Sequence, residues 1–150
     1  MNYLQLNSFK KGNDFIKFQE GKFEVVFSTA ENNKSFNRNT EEGIKELEAL
    51  IDKFHGENVE YLKQIHSNKV YTYRKGSNDF KDNEGDALIT NEKKVIIGVF
   101  TADCVPVILV DKENEAIAAI HSGWKGTFSS IVTETILRMK EEYNSKAENI

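Results

Sequence analysis

The strongest metal-binding chemistry in this 150-residue chain comes from its one cysteine and its three histidines. Cys104 and His121 sit in TADCVPVILVDKENEAIAAIHSGWKGT, residues 101–127, which also contain the only proline and the only tryptophan. His66 lies upstream, in QIHSNKV. Two imidazoles and a thiolate suit zinc, and three protein ligands leave a fourth position open for water. The bound ion would lower the pKa of that water toward neutrality. The intervals of 38 and 17 residues match no compact zinc motif. On spacing alone, an inert cysteine with two unrelated histidines is the plainer alternative. A Cys104/His121 thiol nucleophile is a third reading, which gives His66 no task.

Neighbouring residues extend the candidate site. Asp103 adjoins the cysteine and has the chemistry to orient an imidazole or handle a proton, or simply to cap a turn. Thr101 has the same ambiguity. Gln64 and Ser67 flank His66 and are candidate hydrogen-bond partners of a ligand. HSGWKGT runs into a helix start, so its glycines and Lys125 form a candidate anion seat, against a plain tight turn capped by Thr127. Trp124 offers a ring to stack on a heterocycle, or a packing residue. Asp86, after Gly85, reads as an Asx-turn residue, and His55 as the C-terminal residue of a helix. The chain has no HxE…PCxxC signature, no GxGxxG, no GxxxxGK[ST] and no GxSxG.

These residues need a scaffold. Val105–Val110 and Ala116–Ile120 are apolar runs flanking the polar turn Asp111–Glu115. Paired as a hairpin, they place Cys104 and His121 at the same end. Asp14–Phe18 and Lys22–Phe27 predict another hairpin, turning at Gly21. Thr40–Phe54 carries Ile44, Leu47, Leu50, Ile51 and Phe54 at helical spacing, with Asn39 as N-cap and Glu42 in the capping-box place. Val59–Gln64, Lys69–Arg74 and Ala87–Thr90 read as short strands, and Val95–Phe100 as a central one. A second helix runs from Thr127 or Phe128 to Tyr143, burying Phe128, Ile131, Val132, Thr135, Ile136 and Met139. Seven or eight strands and two helices predict an α+β domain, 1–150 as a single unit.

Composition narrows the class. The formal net charge is -4, and the Lys10–Lys11 and Lys93–Lys94 pairs are isolated, so no basic footprint for nucleic acid exists. One cysteine allows no intrachain disulfide. MNYLQLNSFKKG lacks the apolar core of a signal peptide, and no run approaches the roughly 20 apolar residues of a membrane span. A cytoplasmic protein, monomeric or weakly dimeric, is expected.

Four blocks together, QIHSNKV, GDALIT, TADCVPVILVD and AAIHSGWKGT, resemble the YfiH/YlmD family over about Phe23–Glu142. That family has been labelled multicopper polyphenol oxidase or laccase-like, peptidoglycan editing factor and purine nucleoside phosphorylase. The resemblance implies a layered α/β/β/α-type sandwich of mixed sheets with flanking helices. It implies zinc held by His66, Cys104 and His121, with His66 and His121 in the catalytic set, to which our own reading of the residues adds Asp103 for managing protons. The implied activities are phosphorolysis of purine nucleosides, cleavage of methylthioadenosine and deamination of adenosine. The partners would be purine nucleosides and inorganic phosphate, with Gln64, Ser67, Trp124 and Lys125 contacting them. Copper-linked phenol oxidation and an inactive metal-binding or peptidoglycan-editing role are the alternatives, because three histidines cannot ligate four coppers. There are three departures from the family pattern. Lys125 stands where the family usually has Arg. An Arg of the family's STR segment is absent at Ser28-Thr29-Ala30, with Arg38 the only nearby substitute. The family also continues beyond the block that ends here, so the expected sandwich is incomplete.

Overall fold

The computed structural model describes residues 9–29, 31–77 and 80–150. Ala30 and the first eight residues, on which part of the leader expectation rests, lie outside them. Among the described residues the strands are β1 (Lys10–Lys11), β2 (Phe15–Glu20), β3 (Phe23–Ser28), β4 (Asn58–Glu60), β5 (Val70–Thr72), β6 (Ala87–Thr90), β7 (Val95–Ile97), β8 (Val105–Asp111) and β9 (Ala116–Ser122). The α-helices are α1 (Glu41–Lys53), α2 (Trp124–Phe128) and α3 (Ile131–Tyr143).

The strands form three sheets, ordered β1-β2-β3, β4-β7 and β5-β6-β9-β8. Side-chain alternation along them builds the layers. Ala87 and Ile89 of β6 and Ala116, Ala118 and Ile120 of β9 pack with Ile131 and Met139 of α3. Leu88 points the other way, into a cluster with Leu62, Tyr73, Val95 and Ile97. Ile96, on the opposite face of β7, joins Leu47, Leu50, Ile51 and Val59 beneath α1. The order is therefore α3, the four-stranded sheet, the β4-β7 pair, then α1, the layered sandwich of mixed sheets and helices that the sequence predicts. Three of the alanines of β6 and β9, Ala87, Ala116 and Ala118, are almost fully buried beneath α3 and let it lie close to the sheet. The β1-β2-β3 sheet attaches through aromatic contacts, with the Phe15 ring 5.4 Å from Phe54 and 5.9 Å from Phe36.

The predicted hairpins form, and Gly21 turns the first with φ 58°. Several expectations are corrected. Val95–Ile97 is no central strand. It pairs in parallel with β4 alone, while β9 occupies the middle of the large sheet between β6 and β8. The N-cap of α1 is Thr40, whose hydroxyl accepts the Gly43 N–H at 3.1 Å. That leaves Glu42 one position short of a capping box. The predicted second helix is two helices. Ser129 donates its hydroxyl to the Lys125 carbonyl at 2.7 Å, and Ser130 adopts φ 61°, so the chain breaks and restarts. Phe128 consequently points outward and is 90% exposed. Among the described residues no helix is long and apolar enough to cross a membrane.

Candidate metal centre

Each ligand candidate comes from a different kind of element. His121 is the sixth residue of β9 and is buried by the sheet. Cys104 immediately precedes β8. Pairing of Pro106 with His121 and of Val105 with Ser122 brings the cysteine to the same end of the hairpin. His66 sits on the connection between β4 and β5 and takes a left-handed φ of 60°. The Cys104 Sγ lies 3.8 Å from His66 Nε2. The two imidazoles meet edge to face with centroids 4.8 Å apart. One donor atom from each of the three residues lies within 4.8 Å of the others.

The donor set fits a single ion. Two bonds of about 2.0–2.3 Å each span a little over 4 Å, so binding would draw the widest pair slightly inward. His121 donates Nδ1–H to Asp86 Oδ1 at 2.8 Å, leaving Nε2 free. Gly123 clears the space. A Cβ there would stand 2.5 Å from His66 Cδ2 and 3.3 Å from both His66 Nε2 and His121 Cε1. Gly126 does the same for the loop, since its Cβ would meet the Ser67 carbonyl at 2.9 Å.

Asp86, read from sequence as a turn residue, is fully buried at the heart of this arrangement. Its Oδ1 also accepts the His66 N–H at 3.0 Å. Its Oδ2 accepts the N–H groups of Ile65 at 3.3 Å and Ser67 at 2.7 Å, and the Ser67 hydroxyl at 2.7 Å. Burial alone would raise the carboxyl pKa. The hydrogen bonds from Ser67, His121 and the His66 backbone outweigh it and hold the group below its ordinary range. The only sequence signal for this role was the Gly-Asp step at the head of an apolar strand. The Cys104 thiol is shifted upward, first by desolvation and then by the Asp103 carboxylate beside it. A bound cation reverses that balance in favour of the thiolate.

The other candidate residues divide. Asp103 is exposed, with Oδ1 3.8 Å from Cys104 Sγ. Gln64 does not face the centre with a free amide. Its Nε2 donates to the Phe100 carbonyl and its Oε1 accepts the Phe100 N–H, both at 2.7 Å. Ser67 is engaged by Asp86. Trp124 is 73% exposed, and the Lys125 ammonium lies 5.5 Å from its ring centroid. Arg38 donates to the Lys81 carbonyl at 2.6 Å and pairs with Asp82. His55 ends α1 in a left-handed conformation, the helix-terminal role read from sequence.

A family model described as multi-copper polyphenol oxidoreductase laccase matches residues 17–150. A Clostridium acetobutylicum protein named purine nucleoside phosphorylase is 50% identical over 136 residues, covering 91% of this chain and 56% of its own length. A Neisseria meningitidis structure superposes with TM-score 0.69 at 26% identity, covering 85% of this chain and 57% of that one. The YfiH structure of Bacillus licheniformis gives TM-score 0.75 at 20% identity, covering 93% and 61%, a likeness of fold. The chain thus spans little more than half the length of these relatives.

These findings overturn the expectation of a zinc-dependent purine nucleoside phosphorylase, adenosine deaminase and methylthioadenosine phosphorylase. The matching family is described by copper and phenol oxidation, and the fold is that of YfiH. The nucleoside name belongs to a longer protein. Of the residues expected to contact a nucleoside or phosphate, Gln64 and Ser67 are engaged in internal hydrogen bonds. The metal expectation changes with them. A His-Cys-His set binds copper ahead of zinc in the divalent affinity order, and His2Cys is a familiar copper donor set. The chain belongs to the multi-copper polyphenol oxidoreductase laccase family and has its YfiH-like fold.

Proposed function

We propose that this chain is a copper-binding, laccase-like oxidoreductase domain that acts on phenols through one metal centre made by His66, Cys104 and His121. The observation that carries the reading is the convergence of those three donor atoms within 4.8 Å, on a chain matched by the laccase family model. Copper held there would supply a one-electron acceptor, each phenol giving up one electron and one proton and dioxygen taking up both. His121 presents Nε2 because Nδ1 is held by Asp86. Cys104 contributes the thiolate and His66 closes the third side. Asp103, exposed beside Cys104, would accept the phenolic proton. Trp124, one residue beyond Gly123 and largely exposed, offers its ring to the phenol. Three histidines in the chain restrict the centre they build to a single ion.

The test is copper content with oxygen uptake on a methoxyphenol. One copper per chain and phenol-dependent oxygen consumption, both lost in Cys104→Ala and His121→Ala, are the expected results. Copper well below stoichiometry, or oxidation indifferent to both substitutions, would refute the proposal.

A further inference from the structure

We infer that Asp86 is the positioning residue of the centre: one buried carboxylate sets the tautomer of His121 and the loop conformation of His66, and so presents two of the three ligands before any metal arrives. The inference rests on the single-metal reading above and adds how the site is preassembled.

The geometry divides the work between the two carboxylate oxygens. Oδ1 receives His121 Nδ1–H at 2.8 Å and the His66 N–H at 3.0 Å. The proton on Nδ1 forces the lone pair of neutral His121 onto Nε2, the nitrogen left for the metal. Oδ2 receives the Ile65 N–H, the Ser67 N–H and the Ser67 hydroxyl. Three successive backbone N–H groups thus wrap one carboxylate, an arrangement that requires the left-handed φ of 60° at His66. That conformation is uncommon for a non-glycine residue, and at His66 the bonds to Asp86 hold it. Ser67 Oγ further accepts the Lys69 N–H at 3.2 Å, extending the brace along the loop. Asp86 itself cannot drift. It is fully buried, and its own backbone is fixed by donation to the Lys69 carbonyl at 3.1 Å and by acceptance of the His121 N–H at 2.7 Å. The same residue therefore holds His121 by both main chain and side chain.

Asp86→Asn gives the discriminating chemistry. The asparagine oxygen is expected to face the three donors around Oδ2, which turns its NH2 toward His121 and against the His66 N–H that Oδ1 accepts in the wild type. His121 then has to accept at Nδ1 and carry its proton on Nε2, toward the site. Wrong-tautomer inactivation of this kind follows the equivalent change in a serine protease triad.

The experiment has two arms, on the full chain. Long-range 1H–15N NMR of the metal-free protein reads the His121 tautomer. Co(II) titration, followed by the thiolate charge-transfer band, reads ligand assembly. In the wild type we expect Nδ1–H at His121. In Asp86→Asn we expect Nε2–H and Co(II) affinity lower by about 10- to 100-fold. Nε2–H in the wild type, or an Asp86→Asn protein that keeps Nδ1–H and binds Co(II) normally, overturns the inference. Should Asp86→Asn fail to fold, the wild-type tautomer still decides. Ser67→Ala, which removes one brace without touching either ring, then decides the loop half, with an expected loss of about fivefold in Co(II) affinity. Correct tautomers without any Co(II) binding would sink the metal reading while leaving the positioning of His121 intact.

Discussion

Gly123→Ala separates the metal centre from the fold more cleanly than any ligand substitution. Gly123 has φ -71° and ψ 168°, extended backbone that alanine adopts freely. The substitution therefore adds no backbone strain, and by restricting the unfolded chain it contributes about 0.4–1 kcal/mol of stability. The added Cβ meets the His66 ring at 2.5 Å from Cδ2, and restoring ordinary contact displaces that ring by about 1 Å. His66 is exposed and swings outward at little cost to packing. His121, in contrast, is 3% exposed and stays in place. The 3.8 Å approach of His66 to Cys104 is then lost while both elements remain folded. A displacement of this size in a three-ligand site lowers metal affinity by about 10- to 100-fold, or about 1.4–2.7 kcal/mol. The assay pairs urea unfolding of the metal-free protein with Co(II) titration. Stability unchanged or raised, with affinity sharply reduced, is expected. Undiminished affinity would refute the steric role assigned to Gly123, and a large stability loss would refute the claim that His66 yields outward.

Gln64→Ala removes both hydrogen bonds that fix Phe100, four residues before Cys104; a stability loss of about 1–2 kcal/mol by urea unfolding, with weaker Co(II) binding, is expected. Metal binding expels the Cys104 proton, and that thiol titrates above its ordinary value, so affinity rises about tenfold per pH unit through neutrality. Asp103→Asn removes one of the charges that raise it, so the whole affinity-against-pH curve moves to lower pH; an unmoved curve would contradict the assigned cause. Asp111→Ala breaks the turn between β8 and β9, where the buried carboxylate accepts the Glu113 and Asn114 N–H groups at 2.9 and 3.1 Å, and costs about 2–3 kcal/mol. Burial raises the Asp111 pKa, but the Ser145 and Asn114 side chains, followed by the Asn114 and Glu113 N–H groups, outweigh it and leave the folded value depressed. Its stabilisation is therefore present above the ordinary carboxylate pKa and lost as pH falls through the folded value. Urea midpoints of wild type and variant should converge in acid.

Scarce residue types marked the candidate ligands, and the apolar runs flanking Asp111–Glu115 put Cys104 and His121 at one end of a hairpin, whereas joining His66 to them rested on the family resemblance. The structure adds the register, pairing Pro106 with His121. The role of Asp86 was not legible, since an Asp after Gly reads as a turn and its five donors come from residues 19 to 35 positions away. Gln64 was misplaced for a similar reason: an amide near a candidate ligand looks available until its partner, 36 residues on, is known. The α+β class followed from strand and helix patterns and the layered sandwich from the family resemblance, but the place of β7 followed from neither. A short apolar run looks the same whether it ends up central or paired on one edge only. The break before α3 escaped because Ser129-Ser130 interrupts a helical period that is continuous on either side. Lastly, the residues conserve the imidazole and thiolate chemistry of zinc and copper sites alike, so the donor set alone did not choose the ion.

The 38- and 17-residue intervals between ligands have a consequence for when a metal can be captured. An unfolded chain with one thiol and widely separated imidazoles offers no chelate, and the site comes into being only after β9 has docked between β6 and β8. During synthesis the nascent chain is therefore protected from seizing whichever ion is most abundant, and selection falls to the completed geometry. Because the ion binds the native state alone, each tenfold rise in free metal above Kd stabilises the fold by about 1.4 kcal/mol. The melting temperature then serves as a gauge of metal occupancy.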